Sequence, residues 1–482
     1  MITPAKLDAM VVPLLLAGLM MPAAFAYDSG STGADGDLIV SVNTEVQLPP
    51  GGVLNYKSIR VDAGQRLTFR KNATNTPVVL LVQGDVTVNG TIDVSGASST
   101  HTGTAGDGNI GDDGLPGAGG PGGYDGGMGS ANPDRAGNGV GPGGGVGGSY
   151  IVNVCYCGGS GASYASVGAI DNYNRTPASA AYGSETLLPL IGGSGGGGGA
   201  GGASSRGSGG GGGGGAILIA AKGTVTIGQT GQILANGGAS GMTNAPTAGT
   251  PGGSGGGGSG GAIRIVATSI TGEGTVQAAG GQAGALANGS YRGGNGGTGR
   301  IRIEAESFVR SAATDPPYTF GAPGAIVLAG TPALRIARIA GVNVPTQPTG
   351  RADVLLPGAL SNPVGVDFEA TGVPAGSIVK LTITPPNAAP ITADSTPLAG
   401  DTTLATATAS VTLPAGPTVF LATVTYQVNI ALGESLSRFA SNERVDRVRL
   451  SAAVGGVGVA TLITVSGKEY EVPLAALAAA GG

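Results

Sequence analysis

The apolar residues of this chain, mostly Ala, Val, Ile and Leu, fall in short alternating runs of the kind that strands bury. From Asp35 to Ser95 these runs read as consecutive β-strands: Leu38-Ile-Val-Ser-Val, Val61, Leu67-Thr-Phe, Val78-Val-Leu-Leu-Val and Val86-Thr-Val. Turn residues such as Pro49-Pro50-Gly51-Gly52 and Asp62-Ala63-Gly64 separate them. One phrase then returns. Val78-Val-Leu-Leu-Val-Gln-Gly84-Asp-Val-Thr-Val followed by Gly90-Thr-Ile-Asp-Val-Ser-Gly96 matches Ile217-Leu-Ile-Ala-Ala-Lys-Gly223-Thr-Val-Thr-Ile followed by Gly231-Gln-Ile-Leu-Ala-Asn-Gly237. A third copy begins at Ile263 and closes with Gly274-Thr-Val-Gln-Ala-Ala-Gly280, and a fourth is cut short at Ile301-Arg-Ile-Glu-Ala.

A repeated strand, corner and strand is what the rungs of a parallel β-solenoid produce, because no rung buries its own apolar face. The competing reading is a set of independent hairpins, since Asn89-Gly90 is also a common hairpin turn. Between the copies the chain is dominated by glycine, in insertions at about 103–215, 238–261 and 280–299. Gly108, Gly111, Gly114, Gly117, Gly120, Gly123, Gly126 and Gly129 fall at every third position. That spacing predicts extended helices of three residues per turn, packed through their backbone groups as in polyglycine II. Solvated loops are the alternative.

Composition changes near Ile339, and Asn343-Val-Pro-Thr-Gln-Pro-Thr-Gly350 reads as a linker, placed at 339–349. Beyond it, six or seven alternating strands with Pro and Gly turns predict a β-sandwich of immunoglobulin-like architecture over 350–482, lacking the Cys and Trp hallmarks. The expected fold is therefore all-β: a solenoid over 27–338 and then the sandwich.

Residues 1–26 read as a secretory signal peptide, with Lys6, an apolar stretch from Met10 to Met21, and Ala24-Phe25-Ala26 before Tyr27. An extracellular or cell-surface location is expected, with no membrane span after signal removal. The net charge is −5 and charged residues are 11% of the chain, which leaves no basic stripe for nucleic acid. The two cysteines, Cys155 and Cys157, allow a local disulfide, cross-links to another chain, or a soft-metal pair.

Candidate chemistry is thin. Gly192-Gly-Ser194-Gly-Gly and Gly252-Gly-Ser254-Gly-Gly fit the nucleophile-elbow pattern, yet a tract this rich in Gly and Ser produces such matches by chance, and His101 is the only histidine. The cluster Asp107, Asn109, Asp112 and Asp113 offers oxygens to calcium but departs from the EF-hand spacing, and solvated turn residues are the simpler reading. Arg264, Arg300 and Arg302 alternate with isoleucines and are expected to point outward into solvent. No catalytic, cofactor or metal residue is assigned.

The phrases Gly84 to Gly96, Gly258-Ser-Gly-Gly-Ala-Ile-Arg-Ile-Val266 and Gly296-Gly-Thr-Gly-Arg-Ile-Arg-Ile-Glu304 resemble a group of glycine-rich secreted bacterial surface proteins. The resemblance implies a structural role on a β-solenoid, with glycine loops that pack like the polyglycine helices of some phage tail adhesins. The expected function is a non-catalytic structural protein of the cell surface or extracellular matrix, partnered by copies of itself or other surface proteins, with self-assembly into filaments as one form of that role. A glycan- or protein-binding adhesin is the alternative, and a polysaccharide-acting enzyme a distant third.

Overall fold

The structure, a computed structural model, describes residues 27–49, 51–101, 114–131, 135–202, 206–241, 252–284, 290–324, 332–346, 353–358, 360–385, 388–428, 436–441, 443–453, 459–474 and 477. Residues 1–26 and 102–113, and with them the expected signal peptide, Gly108, Gly111, Asp107, Asn109, Asp112 and Asp113, lie outside them. The described chain is nearly all β, and Ser437–Phe439 forms one turn of 3-10 helix.

Up to Gly321 the principal sheets are parallel: one of nine strands and one of five. Each new pass of the chain lays its strands beside those of the last, in a register that stacks like on like. Leu54, Leu80, Ile219, Ile265 and Ile303 form one column across the large sheet. Leu38, Ile59, Val86, Val225, Ile270 and Phe308 form a second. On the small sheet the column is Leu67, Ile92, Ile233 and Val276. All three columns contribute to a single apolar core between the sheets. Side chains alternate across a strand, so a one-residue slip would drive every one of these groups into the opposite face, which fixes the register.

The repeated phrases therefore pair residue for residue. Ile217 lies beside Val78 and Gln232 beside Thr91, although the longest glycine tract separates the two copies in sequence. Asn89-Gly90 is a corner and not a hairpin turn, since Val86–Val88 and Thr91–Asp93 belong to different sheets.

From Ala333 onward the pairing is antiparallel. Ala333–Ile339 pairs with Val364–Thr371 and turns through Val342–Asn343, so strand pairing of the C-terminal unit begins ahead of the 339–349 segment that reads as a linker. A five-stranded and a six-stranded antiparallel sheet share one core, which includes Ile336, Val366, Phe368, Leu381, Ile383, Ala407 and Val424. A further apolar cluster joins this unit to the glycine tract: Tyr124 and Ile191 pack with Phe439, Val448, Leu462 and Val472.

Candidate functional site

The glycine tract is where the chain spends its unusual composition. Gly207–Gly215 shows the rule. The N–H groups of Gly207, Gly210 and Gly213 donate to the carbonyls of Ser130, Gly127 and Tyr124. Those of Ser208, Gly211 and Gly214 donate to Gly253, Gly256 and Ser259, and those of Gly212 and Gly215 to Ala97 and Val94. Every third residue faces the same neighbour, so one segment is bonded on three sides with a hydrogen-bond period of three. Gly193, Gly196 and Gly199 repeat the pattern onto Gly214, Gly211 and Ser208.

Buried backbone amides must find partners, and in an array of this density neighbouring carbonyls supply most of them. The thinness is also obligatory: a methyl group at Gly211 would overlap the carbonyl oxygen of Gly238, and one at Gly196 that of Gly256. The run of every-third glycines folds back on itself at Pro121-Gly122, where Gly122 has φ of 76°. Gly123, Gly126 and Gly129 then donate to Gly120, Gly117 and Gly114.

Small polar side chains join in, serine above all, with Asn138 and Asp125 accepting the Gly147 and Gly119 amides. Ser99 Oγ donates to the Gly209 carbonyl at 2.6 Å and accepts from the Gly241 amide. Ser208 Oγ donates to Gly241 at 2.6 Å and accepts from Gly255, and Ser240 bridges Gly255 and Gly284 in the same way. The two serines of the elbow-like motifs belong to this array. Ser194 is fully buried, donating to the Tyr182 hydroxyl and accepting from the Gly143 amide, each at 3.0 Å. Ser254 is fully buried as well.

At one end of the array four tyrosines come together from distant parts of the sequence. Tyr150 and Tyr156 stack at 4.8 Å, Tyr156 meets Tyr291 edge-on at 6.0 Å, and Tyr291 stacks on Tyr173 at 5.7 Å. Burial, with Tyr173 and Tyr156 beside it, pushes the Tyr291 phenol up. Cys155 and Cys157 are bonded to each other, on the short hairpin that carries Tyr150 and Tyr156. The buried carboxylate of Asp171 accepts the amides of Tyr173, Arg175 and Thr176 and shapes the adjoining loop. The same loops leave Val152, Val154, Val167 and Ile170 exposed. Backbone bonds from Ser254 to Tyr291 and from Ala200 to Cys157 tie the cluster to the array.

The arginines differ from the sequence expectation. Arg264 does lie on the face of the large sheet away from the core, but it is only 2% exposed. Tyr27, Leu190, Val79 and Leu81 pack with Leu218, Ala220 and Val266 on that face, which covers the part of it around Arg264. Arg264 instead forms a bidentate pair with Glu304, Nη2 lying 3.0 Å from both carboxylate oxygens. Arg302 Nε and the Gly324 amide add bonds at 3.1 and 2.8 Å. Arg300 Nη2 donates to the carbonyls of Tyr182 and Gly183, with its guanidinium over the Tyr164 ring. Sequence spacing alone does not reveal this, because the covering residues come from far away in the chain.

Among the described residues no group of three or more His, Cys, Asp and Glu side chains is placed to hold a metal ion, and no helix is long and apolar enough to cross a membrane. No protein-family model, curated protein or solved structure matches the chain.

Proposed function

We propose that this chain is a secreted, non-catalytic structural protein of the cell surface or extracellular matrix, built as a parallel β-solenoid with polyglycine II-like insertions and followed by an immunoglobulin-like β-sandwich. The observation that carries the reading is the three-sided hydrogen bonding of the glycine segments. A body cross-linked by backbone in three directions resists deformation along more than one axis, which a sheet bonded in a single plane does not. It also offers few side chains to cleavage or chemical attack. Electron microscopy and sedimentation of the purified mature chain test this. Fibres or regular assemblies support it; a strictly monomeric globule at high concentration counts against it.

An adhesin is the second reading, and the tyrosine cluster favours it. Stacked rings beside exposed aliphatic side chains offer a surface on which a sugar ring or an apolar peptide can lie. A glycan array probed with the full mature chain, alongside a Tyr291→Ala/Tyr173→Ala variant, separates the readings. Saturable binding that the variant loses promotes the adhesin.

A further inference from the structure

The parallel core stops abruptly at both ends. The partly buried apolar residues packed against it are Leu38 and Val46 from the first pass of the chain, with Phe308 and Tyr318 from the last. At most other positions the end strands are covered. The Val53–Tyr56 strand is bonded by the preceding segment, with Asp35 donating to the Asn55 carbonyl and Lys57 to that of Gly36. At the other end, Thr319–Gly321 pairs with Arg302–Glu304, and Asp315 bridges to Gln277.

Among the described residues one column of the large sheet has no strand paired to its outer edge at either end, although the Phe308 ring at its last strand packs against Tyr318 and Phe320. It runs from Asp37–Val40 through Ile59–Val61, Val86–Val88, Val225–Ile227 and Ser269–Thr271 to Ser307–Val309, all parallel. Its outward positions in register are Ile39, Arg60, Thr87, Thr226, Thr271 and Val309. The four inner members are polar, as an outward face should be. The two end members are aliphatic, 58% exposed at Ile39 and 66% at Val309.

We infer that a second copy of this chain occupies these ends, with Asp37–Val40 of one copy adding in parallel to Ser307–Val309 of the next. In the register of the column, Leu38 meets Phe308 on the core side and Ile39 meets Val309 on the outer side. Asp37 meets Ser307, repeating within the joint the hydrogen bond that Ser58 Oγ already donates to Asp37 at 2.6 Å within one chain. The two edges differ, so the contact is head-to-tail and each joint leaves a free edge of either kind. Such a contact propagates into a filament and does not close into a dimer. The inference rests on the structural reading above and gives it an axis.

Disulfide trapping tests it with the full mature chain. An Ile39→Cys/Val309→Cys double variant, oxidised at millimolar protein, is expected to give a ladder of covalent multimers on denaturing gels. Each single variant is expected to give less than about a tenth as much cross-linked product. Ile39→Lys is expected to raise the concentration needed for assembly about tenfold or more, through loss of one buried aliphatic contact and a charge placed in the joint. Assemblies that form without the Ile39–Val309 cross-link, or that survive Ile39→Lys unchanged, overturn the joint while leaving the structural role standing. Absence of both assembly and cross-linking overturns the joint and the filament reading together. Equal cross-linking of the Ile39→Cys single variant overturns the head-to-tail polarity.

Discussion

Arg264 and Glu304 hold each other in a bidentate pair at 3.0 Å on the covered outer face of the large sheet, where each side chain is almost fully removed from water. Breaking one half of such a pair strands the other charge. Glu304→Gln is expected to cost about 3–5 kcal/mol, whereas Arg264→Met/Glu304→Leu is expected to be near neutral or stabilising. Thermal or denaturant unfolding of the two variants and the parent checks this. Equal losses in the single and the double variant would show that packing, and not charge, holds the site.

The same pair sets a pH dependence. Burial works to raise the Glu304 pKa, but the Arg264 guanidinium, the Gly324 amide and Arg302 more than offset it, so the carboxyl sits below its usual value. A carboxyl with a lowered folded pKa stabilises the fold above its unfolded pKa, and that contribution disappears as pH falls through the folded one. Stability should therefore fall on acidification below the ordinary carboxylate range, and Glu304→Gln should flatten that part of the profile. An unaltered acid limb in the variant would assign it to other carboxylates.

Glycine in the array should tolerate no side chain. Gly211→Ala, which sets a methyl against the Gly238 carbonyl, is expected to destabilise by about 2–3 kcal/mol or to loosen the tract. Gly358, with open space around its added Cβ, should accept Ala within about 0.5 kcal/mol. Amide hydrogen exchange reads the difference locally. Equal protection in Gly211→Ala and the parent would mean that the array yields more readily than its geometry implies.

Tyr124 meets Phe439 edge-on at 5.5 Å, where the C-terminal unit packs on the glycine tract. Phe439→Ala removes a buried ring and is expected to weaken that contact by about 3 kcal/mol or more. Limited proteolysis should then release the C-terminal unit faster. An unchanged cleavage rate would place the strength of the contact in Leu462 and Val472 instead.

The Cys155–Cys157 bond closes a very small loop, so it restricts few conformations of the unfolded chain. Cys155→Ser/Cys157→Ser is expected to cost only about 1–2 kcal/mol and to leave the fold intact. Near-ultraviolet circular dichroism should report any disturbance of Tyr150 and Tyr156 beside it. Global unfolding of the variant would give the bond a far larger role.

The parallel columns were legible in the sequence because each copy keeps its apolar alternation and ends in glycine, and the aligned phrases pair in the register their alignment predicts. Arg264 was not legible, since outward on a strand equals solvated only when nothing covers that face, and here Tyr27 and Leu190 do. The tyrosine cluster was hidden for a related reason. Tyr150, Tyr173 and Tyr291 share no local pattern, and a low aromatic content gives no hint that the few rings converge. The glycine period of three was visible, but not that the run doubles back at Gly122 so that its own glycines pair.

Because each residue of a glycine segment answers to one of three neighbours in turn, the array has a reading frame. Removing one residue would hand every later amide to the wrong neighbour, whereas removing three would shorten a segment by about 9 Å and leave each partnership in phase. Length variation in these tracts should therefore be confined to multiples of three, a grammar imposed on insertions and deletions by hydrogen bonding alone.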